Sequence, residues 1–496
     1  MPPIGIAQVR TQGKSCVLEF YPIEWYLFYV EDIYSKPGHY CGVAGIYSET
    51  PTDIPEKLFY TLFALQHRGQ EGAGISYVKD GSIKTYKDVG MVPSVLSRYL
   101  QIETHSNIGI GHVRYSTSGK NKIENVQPIH AISNKGDIAI AHNGTLSNAA
   151  AIKKLVFDRG AIIQSTTDTE VILHLLAMSE EKEFKKALFN TLNMLEGAFS
   201  FTMIKDNSLI AARDPYGFRP LYVGKKDDLI VFASETCALD ILKIFDVREV
   251  EPGEIITVDK NGMKSEFFAE SKARSYCVFE LIYFGRPDSA IFGKSVHSIR
   301  KKMGAALAED ETVEADIVMS VPDSGNCAAL GYAEKSGLPL EYGLSRNHYA
   351  GRSFIMPTKE QRELMVRMKL NPVKDVIKGK RIILVDDSLV RGTTSRLIVK
   401  LLREAGAKEI HLRLSSPEIK HPCYFGIDIP TREELISNRM APDGIAQHIG
   451  ADSVRFLSIE KLKEVVGNTE DFCYACFSGN YPIEIKERTN GDKNLC

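Results

Sequence analysis

Two kinds of hydrophobic patterning divide the chain near residue 270. From Cys41 to about residue 268, short apolar runs alternate with Gly and Asn turns, and two stretches repeat at helical spacing. Leu58, Phe59, Leu62 and Leu65 share one face of a helix expected near 56–66, and Val171, Ile172, Leu175 and Leu176 do the same after Asp168. This pattern predicts an α+β region with helices packed on antiparallel sheets. The phrase EPGEIITVDKNGM at 251–263 carries hairpin chemistry and is expected to close that region. Beyond residue 275, compact apolar runs alternate with stretches long enough for crossover helices. DIVMSV at 316–321, RIILV at 381–385 and EIHLRLSS at 409–416 predict an α/β region with a mostly parallel sheet buried on both faces.

Composition narrows the class. At about 150 residues per domain, 496 residues hold two or three cores, and 44% hydrophobic content fills them. A net charge of −2 argues against nucleic-acid or membrane-surface binding. No run reaches the ~18 uninterrupted apolar residues of a membrane span. The aromatic stretch 20–34 comes nearest and is broken by Glu24, Glu31 and Asp32. It also lacks a signal-peptide core, so a cytoplasmic location is expected. Nine cysteines, an odd number in so long a chain, point to chemistry or metal rather than a disulfide scaffold.

The richest phrase is RIILVDDSLVRGTTS at 381–395. Asp386 and Asp387 stand at the carboxyl end of an expected strand, where open α/β sheets bind ligands. Arg391, Gly392, Thr393, Thr394 and Ser395 then form a turn entering a helix, where amides and hydroxyls suit an anion. Adjacent aspartates alone also fit a solvated turn. The complete string resembles the phosphoribosyl pyrophosphate motif of the type I phosphoribosyltransferases. SVPDSGNCAA at 320–329 likewise follows a strand and opens a helix, and Asp323 and Ser324 would meet the pyrophosphate; a plain helix cap is its bland reading. The resemblance implies magnesium held by Ser324, Asp386 and Asp387. GLSRNHYAGRSFI at 343–355, with Arg346 and Arg352, suits a loop that covers phosphate and excludes water.

Upstream, Cys41 precedes a buried strand, followed by GHVRYST at 111–117, HNGTL at 142–146 and TTDTE at 166–170. Each alone has a structural explanation: a small buried thiol, a hairpin turn, a helix cap. Together they resemble the class II glutamine amidotransferases, whose fold is the N-terminal nucleophile hydrolase sandwich. That resemblance implies a Cys41 thiol attacking the glutamine amide, with the nucleophile's own α-amino group as base. It further implies an oxyanion hole from Asn143 and Gly144, an Arg114 clamp on the α-carboxylate, and Asp168 for the α-ammonium. The base requires Cys41 to be the first residue of the mature protein. Residues 1–40 are therefore expected to be a propeptide or a mis-assigned extension.

Both halves together, with YFGRPDS at 283–289 and VHSIRKKMG at 296–304, resemble the glutamine phosphoribosylpyrophosphate amidotransferase family. The implied layout is a glutaminase at 41–268, a phosphoribosyltransferase at 275–470 and a C-terminal segment at 471–496. The implied reaction turns glutamine and 5-phosphoribosyl pyrophosphate into 5-phosphoribosylamine, glutamate and pyrophosphate, opening purine synthesis, with ammonia passing between the sites. Purine-nucleotide feedback and a homotetramer or homodimer are implied as well. CYAC at 473–476 suits iron–sulfur or zinc ligation. In one branch of the family, phrases like those around Cys277, Cys423, Cys473 and Cys476 hold a [4Fe-4S] cluster, with zinc on four thiolates as the rival. Cys16, Cys237, Cys327 and Cys496 lack such context. A phosphoribosyl pyrophosphate-responsive regulator is the alternative function, though no basic DNA-binding segment accompanies it. A glutamine-dependent sugar-phosphate aminotransferase would share the first half but lack VDDSLVRGTTS.

Overall fold

The computed structural model describes residues 41–100, 105–115, 122–347 and 367–485. Residues 1–40 with Cys16 and Trp25, and also Arg352 and Cys496, lie outside that description.

The first half is a four-layer sandwich. Gly42–Thr52 lies inside a seven-stranded sheet, antiparallel to both Leu229–Ala233 and Ser106–Arg114. A second sheet of six strands pairs Gly136–Leu146 with Gly197–Lys205. Period-two alternation sends Val43 inward to meet Ala141, Leu209 and Ile256 between the sheets. Ala44 and Ile46 face the other way, against Leu58 and Leu62 of the helix Ile54–Ala64. The strand is apolar from Gly42 to Tyr47 because both of its faces are covered there, and it turns polar and exposed from Glu49 on. The helix starts ahead of the expected 56 because the Asp53 side chain caps it, accepting from the Glu56 amide at 3.1 Å, and Pro55 suits its first turn. On the second sheet, Thr169–Met178 and its neighbouring helices bury Ile172 and Leu176 against Ile140 and Phe199. The expected hairpin is Glu254–Asp259 with Gly262–Phe267.

The second half carries a parallel sheet in the order Ile317–Ser320, Arg381–Asp386, Glu409–Leu414, Ser453–Phe456. Ile383 and Val385 point to a core with Met303 and Ala329, while Ile382 and Leu384 meet Ile398, Leu402 and Ile445 on the opposite face. Helices on both faces explain the uninterrupted apolar runs. At the junction of the halves, Tyr276–Cys277 pairs in parallel with Phe472–Cys473, so the C-terminal segment returns to the connector. A π-helical turn, Glu280–Phe284, follows directly. Among the described residues, no helix is long and apolar enough to cross a membrane.

Candidate active sites

Cys41 sits just ahead of the central strand and is half-buried. Its Sγ donates to the Tyr115 carbonyl at 3.6 Å. Burial pushes the thiol pKa up, against the pull of the Tyr115 contact and of the Arg114 and Arg68 charges. Arg114 and Asp168 both lie within electrostatic reach of this thiol. Residues 41, 114 and 168, far apart in sequence, therefore converge. Arg114 ends the neighbouring strand and is buried; Asp168 precedes the helix Thr169–Met178. The Asp168 carboxylate accepts from the Leu146 amide at 2.9 Å. Burial alone would raise its pKa, but the His142 ring and that amide outweigh burial and hold it below the ordinary carboxylate range.

Asn143 and Gly144 occupy the strand Gly136–Leu146, beside Ser200 and Phe199. Asn143 is fully buried, yet among the described residues neither its amide oxygen nor its amide nitrogen has a hydrogen-bond partner. A buried amide left unsatisfied costs stability unless a ligand completes it, which suits an oxyanion donor. Gly144 has φ +149°, and a Cβ there would stand 2.0 Å from the Ala198 carbonyl oxygen, so only glycine fits. Behind them, His112 Nε2 lies 3.1 Å from the His142 carbonyl oxygen, and burial lowers the His112 pKa to about 3, keeping the ring neutral.

In the second half, Asp386 and Asp387 stand buried at the tip of the strand Arg381–Asp386. The amide of Asp387 donates to Asp386 Oδ1 at 2.8 Å and Ser388 Oγ to Asp387 Oδ1 at 2.5 Å. The loop 321–325, with Asp323 and Ser324, packs on the same strand end, the Val321 amide donating to the Val385 carbonyl at 2.9 Å. Gly392 precedes the helix Thr393–Glu404, and among the described residues no side chain caps its start; a helix start is a place where an anion is favoured. Thr394 and Ser395 are buried there, and Thr393 is exposed. Two arginines are held in ion pairs. Arg391 is paired with Glu434 at 2.8 Å. Arg346, in the short strand Leu344–Arg346, is ion-paired with Asp323. Such pairs across 43 and 23 residues have no local sequence signature.

Cys277, Cys423, Cys473 and Cys476 line one cavity with Phe218, Arg219, Phe279, Phe425 and Tyr481. Burial raises the thiol pKa of Cys423, Cys473 and Cys476. Four thiols in an aromatic enclosure are a donor set suited to a soft metal group. Among the described residues, no three or more His, Cys, Asp or Glu side chains converge on a single-ion site. A tetranuclear cluster does not demand such convergence, because each thiolate binds a different iron. Cys237 and Cys327 lie elsewhere, both buried, with Cys327 Sγ 3.4 Å from His297 Nδ1.

A family model described as a glutamine amidotransferase domain matches residues 112–240. Amidophosphoribosyltransferase 1, chloroplastic, of Arabidopsis thaliana is 46% identical over 462 residues, spanning 92% of this chain and 81% of its own. The amidophosphoribosyltransferase of Bacillus subtilis (strain 168) is 47% identical over 455 residues, 90% of this chain and 95% of its own. This chain belongs to the amidophosphoribosyltransferases. A solved structure of the family, the B. subtilis glutamine phosphoribosylpyrophosphate amidotransferase complexed with ADP and GMP, matches with a TM-score of 0.85 and 47% identity, covering 90% of this chain and 99% of that one.

In this amidophosphoribosyltransferase a group of buried charges, which no motif of the sequence announces, lies beside Cys41. Arg68 Nε donates to the Cys41 carbonyl at 3.1 Å, and its Nη atoms reach Glu235 at 2.5 Å and Glu280 at 2.8 Å. Arg219 meets Glu280 at 3.5 Å and donates to the Phe425 carbonyl. All four side chains are fully buried. Burial works against the Arg68 charge, but Glu280 and Glu235 outweigh it and hold the pKa above the ordinary range. The available signal was four charged residues within otherwise apolar or turn-forming phrases, QHRGQ, FRP, SETC and FELIYF.

Proposed function

We propose that this enzyme converts glutamine and 5-phosphoribosyl pyrophosphate into 5-phosphoribosylamine, glutamate and pyrophosphate, the first step of purine synthesis, with each half-reaction run by one half of the chain. The observation that carries this reading is the convergence of Cys41, Arg114 and Asp168 in the first half of a chain whose second half holds Asp386 and Asp387 at a parallel-strand tip. In residues 41–268, the Cys41 thiol attacks the glutamine side-chain amide after its α-amino group takes the proton. Asn143 and the Gly144 amide receive the developing oxyanion, Arg114 holds the α-carboxylate, and Asp168 the α-ammonium. Ammonia leaves, and water releases glutamate from the thioester. In residues 275–470, Asp386 and Asp387 hold the ribose hydroxyls, the amides and hydroxyls of residues 392–395 hold the 5-phosphate, and Asp323 and Ser324 meet the pyrophosphate. Ammonia then displaces pyrophosphate at C1.

Magnesium fits Ser324, Asp386 and Asp387, since this ion is commonly bound by one or two carboxylates together with substrate phosphates, and it would supply charge to the leaving pyrophosphate. A [4Fe-4S] cluster fits the four cysteines, which lie on the connector strand, the 421–428 loop and the C-terminal segment from residue 471. It would tie these three pieces together. Purine nucleotides are the expected feedback ligands, as the B. subtilis relative was solved with ADP and GMP. A cytoplasmic location and a homo-oligomer belong to the same reading. Nothing favours a regulator without catalysis, because the constellation around Cys41 would have no use in it.

The test is Cys41→Ala. Glutamine-dependent synthesis should vanish, while synthesis from added ammonia persists. Loss of both in folded protein would overturn the two-site reading.

A further inference from the structure

The charges beside Cys41 come from both halves of the molecule. Arg68 follows the first helix and Glu235 belongs to the glutaminase half, but Glu280 begins the π-helical turn that opens the other half. Arg68 uses all three guanidinium nitrogens: Nε on the Cys41 carbonyl at 3.1 Å, Nη1 on Glu235 and Glu280 at 2.5 and 3.0 Å, Nη2 on Glu280 at 2.8 Å. A planar fork held at both terminal nitrogens has a fixed plane, so the direction of its Nε–H is fixed as well. That N–H grips the carbonyl of the nucleophilic residue. In a mature chain starting at Cys41, the α-amino group and the thiol-bearing Cβ are both attached to the Cα next to this carbonyl. Fixing the carbonyl places the Cα from which base and thiol both branch, and the Sγ contact with the Tyr115 carbonyl holds the thiol side of the remaining rotation. The turn is itself fixed from the opposite side, because Arg300 donates to the Leu281 and Gly285 carbonyls at 2.9 and 2.8 Å.

We propose that Glu280, contributed by the phosphoribosyl half, is a positioning residue for the glutaminase nucleophile and acts through Arg68. This rests on the assignment of Cys41 as nucleophile. Arg68 and Arg219 oppose Glu235 and Glu280, a buried set of two positive and two negative groups. Neutralising Glu280 removes one of the two carboxylates that hold the Arg68 fork, and the carboxylate that Arg219 meets.

The experiment uses the full chain with its N-terminus confirmed at Cys41, and compares wild type, Glu280→Gln and the charge-balanced double variant Glu280→Gln with Arg219→Met. Both variants should lose about tenfold or more in glutaminase kcat, the order of effect expected when a reacting group is misplaced. KM for glutamine should change less than about twofold, since Arg114 and Asp168 are untouched. Synthesis from added ammonia should stay at the wild-type rate in Glu280→Gln. Should the single variant not fold, the double variant gives the answer. An unchanged glutaminase kcat in Glu280→Gln, full recovery in the double variant, a parallel fall in ammonia-dependent synthesis, or failure of both variants to fold would each overturn the proposal and leave Glu280 a purely structural ion-pair partner. A wild type without glutaminase activity would instead sink the assignment of Cys41.

Discussion

Gly325 runs so close to the strand bearing the two aspartates that a Cβ on it would stand 2.5 Å from the carbonyl oxygen of Val385. The Val321 carbonyl would lie at 2.9 Å from the same atom. Backbone on both sides leaves no flexible side chain to give way. Gly325→Ala should therefore push the loop 321–325 off the strand tip at a cost of about 1–3 kcal/mol. Asp323 and Ser324 move with it. Steady-state kinetics should show phosphoribosylamine synthesis down about a hundredfold with either glutamine or ammonia, an effect typical of small misplacements. The glutaminase half-reaction alone should change less than about twofold. Wild-type synthesis in this variant would show that the close approach is not needed.

Glu170 gives a pH-dependent test at the other site. Its carboxylate accepts from the Gln164 and Ser165 amides at 2.8 and 2.7 Å and from Ser165 Oγ at 2.6 Å, bracing the turn that presents Asp168. Burial would raise its pKa, but His174 and these donors outweigh burial and lower it to about 2, from 4.5. A depressed carboxylate stabilises the fold fully above its unfolded pKa, and that contribution is lost as pH falls through the folded value. Glu170→Gln should be about 1–2 kcal/mol less stable than wild type at pH 7. In urea titrations the gap should narrow steadily below pH 4.5. A gap that stays constant down to pH 3 would contradict the charge-based account.

The four-cysteine cavity makes a compositional prediction. Cys277→Ser and Cys473→Ser, which face each other across a two-residue parallel pairing, should each strip most of the iron and labile sulfide from anaerobically purified protein. Cys327→Ser, outside the cavity, should keep both. Stoichiometric zinc in wild type, with no iron, would replace the cluster by a mononuclear centre.

Elements with local causes were legible. The strand expected at 381–385 is Arg381–Asp386, because β-branched residues buried on two faces leave few alternatives. The helix after Asp168 is Thr169–Met178, and the hairpin at 251–263 forms as its turn residues dictate. Partners set by tertiary packing were not legible. Arg391 carries the charge of a phosphate ligand, yet Glu434, 43 residues on, takes its guanidinium. Arg68 and Glu280 are separated by 212 residues, and neither flanking phrase announces the other. Long-range charge pairing follows from which surfaces meet, and no periodicity encodes it.

The buried charge set also puts a condition on joining either half to a different partner. A glutaminase module of this type does not end at its own hydrophobic surface, since Arg68 is satisfied partly by a carboxylate it does not encode. Joined to a different acceptor module, it would need that newcomer to bring an acid to the same spot. Modularity here has an electrical condition as well as a steric one, and a chimera that matched shape while ignoring it would take from Arg68 one of its two carboxylates, right beside Cys41.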